Sequence, residues 1–296
     1  MIDLKKIQQE KPINELINFS IINLDKPANP TSFDIDQIIK KALRISKSSH
    51  FGTLDPMVTG VLPVALSRAC RLMPYFIGKK KSYIGIMRTH KENSLDNINN
   101  EINKFIGKIN QLPPIKSRVK REIREREIYS FKILEISDNK KDILFFTEVE
   151  AGTYIRKLID DIGKNLDGAH MLELRRTQAS IFKEEDSVSI YEFLEAVEEY
   201  NKGDEKKLRE ILIPGEVISQ VLPVININKK FSGKLLHGSP LFREHLENPK
   251  QFDDIKKEEK IAIFEKDKFI GVFSIVNSKK ESNMIATPEF ILQPLK

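Results

Sequence analysis

Cysteine is all but missing from this chain. Cys70 stands alone, so neither a disulfide nor a cysteine-based zinc site can be built within one molecule. In the apolar run 61–72 it reads as a small buried hydrophobe. Long apolar stretches are missing too, and no segment is long enough to span a bilayer. Residues 1–20 mix Lys5, Lys6, Glu10 and Lys11 with scattered Ile and Leu, which is not the unbroken core of a signal peptide. The expectation is a cytoplasmic protein with no membrane partner. Internal repeats and low-complexity tracts are also absent.

What is present is enough for a real core. The chain has 296 residues, 40% of them hydrophobic in periodic clusters, which predicts about two domains. Lysine and arginine number 49 against 43 acidic residues, a net charge of +6. That excess alone points only weakly to a polyanionic partner. Its distribution says more. Lys116, Arg118, Lys120, Arg121, Arg124 and Arg126 crowd together, interrupted by Glu122, Glu125 and Glu127, and Arg175 with Arg176 form a second basic spot. Such a run reads either as a surface that follows phosphates or as a solvated charged face.

Helical periodicity covers residues 33–44, with Thr31 and Asp34 spaced as a capping box after Pro30. A second helix is expected at 95–105 with Leu95, Ile98, Ile102 and Phe105 inward, and a third at 153–164 on Ile155, Leu158, Ile159 and Ile162. A fourth, capped by Ser189 and Glu192, carries Ile190, Phe193, Leu194 and Val197. Strand-like runs lie at 83–88, 131–136 and 143–149, and residues 138–141 read as a hairpin turn between the last two. This mixed order predicts an α+β fold with a largely antiparallel sheet. The charged stretch 203–209 and Pro214-Gly215 read as a boundary. After it, short runs at 221–227, 261–265, 269–276 and 290–292 suggest a small β-barrel-like module. The division is therefore an N-terminal extension 1–20, a larger domain 21–215 and a module 221–296.

Residues 48–66 read SSHFGTLDPMVTGVLPVAL and do not behave as an amphipathic element. Gly52 and Gly60 free the backbone, and Pro56 biases Asp55 toward an extended conformation. A carboxylate is thus offered from a constrained loop that leads into an apolar run, where an ionised Asp is costly unless paired. An Asx turn or a helix cap would also account for it.

GTLDPxxTGxLP resembles the central motif of the TruB family of pseudouridine synthases. The resemblance continues in order along the chain. Asp25-Lys26-Pro27 and Asn29-Pro30-Thr31-Ser32 look like the family's first motif, and Lys81-Ser82-Tyr83 like a later one. Gln111-Leu112-Pro113-Pro114 through Lys120-Arg121 is similar to a stretch of the dyskerin-type members. GTYIRKLIDDIG at 152–163 and AHMLELRRTQ at 169–178 resemble two further signatures, and His237-Gly238 looks like the start of a PUA domain. Two departures stand out: Ser49-His50-Phe51 replaces the usual Gly-His-Ser or Gly-His-Thr, and residues 239–244 differ from the usual PUA loop.

The resemblance implies a pseudouridine synthase fold with a PUA tail, an enzyme that needs no metal or organic cofactor, and a base turned out of its stack into a pocket. It makes Asp55 the reacting group, Arg156 its cationic partner and Tyr83 an aromatic platform whose hydroxyl helps move a proton. Without it, Tyr83 would be a core strand residue. His50 would contact the space left by the flipped base or simply lie at the surface. Lys26 would orient the motif, touch a phosphate or be solvated, and Leu174 would meet the base through its backbone or only pack. Lys120, Arg121, Arg175, His237 and Gly238 complete the expected RNA contacts.

The implied substrates are tRNA, at position 55 of the TΨC arm, and rRNA selected by an H/ACA guide RNA with small accessory proteins. The lack of a long lysine-rich tail favours an archaeal-like type over a nuclear one. The rival from another class is an RNA-binding scaffold or chaperone of the same fold without turnover. A metal-dependent nuclease or glycosidase fits poorly, since no acidic pair stands at a suggestive spacing around Asp55.

Overall fold

The computed structural model describes residues 2–113, 120–249, 259–276 and 283–294. Two sheets organise them. The larger runs in the order Val188–Ser189, Ser20–Lys26, Thr59–Leu66, Ala169–Ala179, Lys81–Thr89, Asp142–Val149, Arg124–Ile136 and Gly107–Gln111, with short strands added at its margins. Most pairings are antiparallel, but Thr59–Leu66 runs parallel to Ala169–Ala179. The α+β expectation holds.

Local chemistry explains the helices that flank this sheet. Both expected capping boxes form, Thr31 with Asp34 ahead of the helix Ser32–Leu43 and Ser189 with Glu192 ahead of Ile190–Asn201. The helix Ile155–Gly163 buries Ile155, Leu158, Ile159 and Ile162 against the sheet. Ile98 and Ile102 anchor Leu95–Asn103, while Leu95 and Leu194, expected inward, are exposed.

Three other expectations need correction. Residues 203–209, read as a charged stretch at a boundary, carry structure of their own, because 206–209 open the helix Lys206–Ile211 and its Leu208 is fully buried. Arg124 and Arg126, expected in a charged run between apolar segments, lie instead in the strand, which extends over Arg124–Ile136 and is steadied by Lys108 to Glu125 at 2.9 Å and Arg126 to Glu150 at 3.8 Å. The tail contains a helix, Lys229–Leu236, where only strands were expected.

The second sheet has the order Val224–Asn226, Lys260–Glu265, Lys268–Ile275, Met284–Ile291 and Leu241–Phe242. One of its faces closes a core of its own around Ile225, Leu235, Ile263, Phe273 and Ile285. The other does not end at the expected boundary. Ala262, Phe264, Phe269, Val272 and Phe290 share one apolar cluster with Phe19, Ile21, Phe51, Val61, Phe76 and Phe182 of the larger body. Phe19 stacks on Phe269 at 5.6 Å, and Phe51 on Phe76 at 5.1 Å. Half-buried Cys70 packs against this cluster.

The N-terminal segment is fastened rather than appended. Arg209 donates to the carbonyls of Gln8 and Lys11, each at 2.7 Å, and Gln8 donates back to the carbonyls of Arg209, Glu210 and Leu212.

Candidate active site

The loop between His50 and Thr59 is irregular, yet it is tied at several backbone groups along its length. Phe51 N–H donates to the Pro63 carbonyl at 2.8 Å, and the Gly52 carbonyl accepts from Arg176 at 3.0 Å. Leu54 N–H and carbonyl both engage the Ser32 hydroxyl, at 2.9 and 3.1 Å. The Pro56 carbonyl accepts from Lys26 Nζ at 2.9 Å and from Asn29 N–H at 3.0 Å. Val58 N–H closes a turn on the Asp55 carbonyl at 3.0 Å. These ties hold an irregular stretch of chain in place.

At the crest of this loop the Asp55 carboxylate accepts from Arg156 at 2.5 Å. Leu54 and Val58 are buried on either side, at 4% exposure each, and root the crest in the main core. The pair itself is open, with side-chain exposures of 55% for Asp55 and 60% for Arg156. A carboxylate offered from a constrained loop leading into an apolar run, and costly unless paired, was expected; the loop and the partner are there, and the correction is that the acid faces solvent. The apolar neighbours point down while the acid points out, so no desolvation has to be offset.

Arg156 is aimed from its own scaffold. It lies in the first turn of Ile155–Gly163, and the residue that opens that turn, Tyr154, is clamped by Gln111. The Gln111 side chain accepts from Tyr154 N–H at 3.0 Å and donates to its carbonyl at 3.3 Å. Gln111 is 2% exposed, so the start of the helix is fixed to the sheet edge.

Beneath the crest lie buried cations. Arg176 is 1% exposed and donates to the Val61 carbonyl at 2.7 Å as well as to Gly52. Burial pushes its guanidinium below the ordinary arginine range, opposed by the Tyr83 hydroxyl beside it. Lys26 is fully buried, and burial first, then Arg176, lower its ammonium, while Asp55 pulls it the other way. Lys81 is lowered from 10.5 to about 8 by burial and by Arg176. Two of the readings left open for Lys26, solvation and phosphate contact, therefore fail. Its ammonium grips the motif backbone.

Tyr83 is 7% exposed and faces Arg176 across the sheet, and Arg176 faces Gly60 in turn. One row of three strands thus ties the tyrosine to the residue that ends the loop. A Cβ on Gly60 would stand 2.2 Å from the Arg176 carbonyl oxygen, and its φ of +98° is also reserved for glycine.

The other expected residues are more scattered. His50 is half-buried, its Nδ1 2.8 Å from Asp36 and its Nε2 3.0 Å from Thr53 Oγ1. Leu174 is 8% exposed and packs in the main core. Arg175 does not stand free for phosphate. It makes a bidentate pair with Asp25 at 2.8 and 2.9 Å and a third bond to Glu184 at 2.5 Å. Lys120 is exposed and pairs with Glu122 at 3.1 Å, and Arg124 meets the same Glu122 at 3.2 Å. Arg121 is exposed. Pro114, Lys116 and Arg118 lie outside the described residues. His237 and Gly238 are far along the chain, at the end of Lys229–Leu236, on an open hollow of about 580 Å³ shared with Gly233, Lys234 and Ser239.

Sequence reasoning missed Asp36, Lys81 as a buried cation, Gln111 as a clamp and Arg176 as an internal support. For Arg176 a signal existed: it is two residues beyond Leu174 on one strand, so both face inward. For Asp36 the spacing also spoke, since it follows Ser32 by one helical turn.

Residues 40–155 match the family described as TruB family pseudouridylate synthase (N terminal domain). Residues 156–219 match the tRNA pseudouridylate synthase B C-terminal domain, and residues 9–35 the DKCLD (NUC011) domain. The chain is 42% identical over 236 residues to the probable tRNA pseudouridine synthase B of Methanothermobacter thermautotrophicus, covering 79% of this chain and 72% of that one. It is 39% identical over 294 residues to the same-named protein of Sulfurisphaera tokodaii, covering 96% and 86%.

Among solved structures, the fold resembles a chain of a Cbf5-Nop10-Gar1 complex with a TM-score of 0.86 at 35% identity, covering 97% of this chain and 89% of that one. It resembles equally a chain of an H/ACA RNP bound to a substrate RNA containing 2'-deoxyuridine, at 0.85, 33% identity and the same coverage. Agreement of this extent, in sequence and in backbone, means that the chain belongs to the TruB family of pseudouridine synthases.

Proposed function

We propose that this chain isomerises uridine to pseudouridine in RNA, with Asp55 as the reacting carboxylate, Arg156 as the cation that aims it and Tyr83 as the aromatic wall of the pocket. The observation that carries this reading is the open Asp55–Arg156 pair at 2.5 Å on a loop tied on both sides of Asp55 through Leu54 and Pro56. The reaction breaks a C1′–N1 bond, turns the uracil and forms a C1′–C5 bond. It therefore needs a carboxylate that is ionised, directed and reachable by an everted nucleotide. An ion pair facing solvent supplies all three.

Two substrates fit. The relatives' names support tRNA, and our reading takes position 55 of the TΨC arm as the target. The solved complexes contain the accessory proteins Nop10 and Gar1 and a substrate RNA, which supports an additional guided reaction on rRNA by an H/ACA particle. No described helix is long and apolar enough to cross a membrane, and we place the enzyme in the cytoplasm with its RNA. The tail, with His237 and Gly238 beside an open hollow, is read as the PUA module that holds RNA away from the reaction centre.

The test is to map pseudouridine in tRNA and rRNA incubated with the pure protein, with and without guide RNA and accessory proteins. Asp55→Asn should abolish the product while leaving RNA affinity within a few-fold. Turnover by that variant equal to wild type would remove the chemical assignment, and no product from the wild type under any of these conditions would favour the scaffold reading.

A further inference from the structure

The crest that carries Asp55 is gripped from one side by a single face of the helix Ser32–Leu43. Ser32 holds the Leu54 backbone, and Asp36, one turn further on, meets His50 Nδ1 at 2.8 Å. His50 Nε2 in turn meets Thr53 Oγ1 at 3.0 Å. Asp36 is 6% exposed, and its second oxygen is buried with no hydrogen-bond partner. The pair formed by Asp55 and Arg156 makes no use of these three side chains.

Hydrogen-bond chemistry gives the chain a direction. An ionised carboxylate can only accept, so His50 Nδ1 carries the proton. In the neutral ring Nε2 is then a lone pair, and the Thr53 hydroxyl donates to it. With its proton committed, the hydroxyl keeps its own lone pairs for a donor from outside. Thr53 and Asp55 are both exposed while Leu54 between them is buried.

Resting on the reading of Asp55 given above, we propose that Asp36 and His50 are positioning residues that hold Thr53 Oγ1 as a hydrogen-bond acceptor for the bound nucleotide. The partner is a donor that uridine itself carries, the ribose 2′-hydroxyl or the uracil N3–H. The acceptor stands two residues from the reacting carboxylate, so it fixes the nucleotide as the carboxylate engages it.

Affinity measured in the Asp55→Asn background separates this from a purely structural brace. Three RNA hairpins of the TΨC arm are compared, with uridine, 2′-deoxyuridine or 3-methyluridine at the target. Thr53→Val should weaken binding of the plain hairpin about fivefold to tenfold, the worth of one such bond. It should leave unchanged the binding of whichever analogue lacks the donor, and that analogue identifies it. Thr53→Ser should restore wild-type affinity. Loss of equal size on all three hairpins, or no loss on the plain one, overturns the proposal.

Nitrogen-15 spectra of the ring add a second readout. His50 should carry its proton on Nδ1 in the wild type and lose that preference in Asp36→Val, and a proton on Nε2 in the wild type also overturns the proposal. If instead the wild-type chain leaves the plain hairpin unconverted under every guided and unguided condition, the functional reading fails first and this one falls with it.

Discussion

An ion pair with both members more than half exposed is worth little to folding, about 0 to 1 kcal/mol. The Asp55–Arg156 pair is therefore not explained by stability, and its two roles can be separated. Arg156→Ala should leave unfolding by denaturant within about 1 kcal/mol of wild type, yet lower turnover by about 10²-fold through loss of carboxylate aim. A parallel fall in stability would make Arg156 a structural residue. Lys81 presents the opposite case, a cation buried where charge is expensive. Its folded pKa of about 8 lies below the ordinary 10.5, so between those values the unfolded chain binds more protons and stability rises with pH. The penalty is complete below pH 8. Lys81→Met should therefore stabilise the protein at pH 7 by about 2 kcal/mol, after losing the bond to the Ile77 carbonyl, and the advantage should vanish above pH 10.5. Urea titrations at pH 7, 9 and 10.5 check both the sign and the window.

At the scale of elements, the crossing of Thr59–Leu66 and Ala169–Ala179 decides whether the loop can exist. Gly60→Ala puts a methyl against the backbone of Arg176 in a left-handed conformation, and should cost about 3 kcal/mol or more while abolishing turnover. Thermal unfolding and pseudouridine yield report the two losses. What could be read from sequence follows from range. Capping boxes such as Thr31 with Asp34, the turn at 138–141 and the stripe Ile155-Leu158-Ile159-Ile162 are set by neighbours within a few residues, and all appear as expected. The resemblance named Asp55 and Arg156, 101 residues apart, and the fold brings them together. What stayed hidden depends on partners distant in the chain. Lys26 looks like any solvated lysine until the Pro56 carbonyl is seen above it, and Arg175 looks like a phosphate ligand until Asp25 and Glu184 close on it. Lys206–Ile211 was masked by its own charge, since only Leu208 speaks for burial.

On the scale of the whole molecule, the aromatic cluster that joins the tail to the larger body changes how the tail can be studied. Deleting residues 221–296 would strip Phe269 and Phe290 from Phe19 and break the shared cluster, so loss of RNA affinity in such a truncation would mix destabilisation with a missing RNA contact. His237→Ala with Lys234→Ala, both at the rim of the hollow, is the cleaner probe. That pair should weaken RNA binding several-fold at low salt with the single-turnover rate at saturation unchanged. Phe269→Ala, by contrast, should cost about 3–5 kcal/mol and lower the melting of both sheets in one calorimetric transition. Two separate transitions would mean the cluster does not couple them.

Phe51 belongs to that cluster, and the crest begins one residue later. A protease that clipped the tail would strip one side of the cluster in which that residue sits, since Phe19 would lose Phe269 and Phe290. Inheritance follows the same logic: this tail cannot be exchanged for another RNA-binding module unless the newcomer also brings an apolar surface that fits against Phe19.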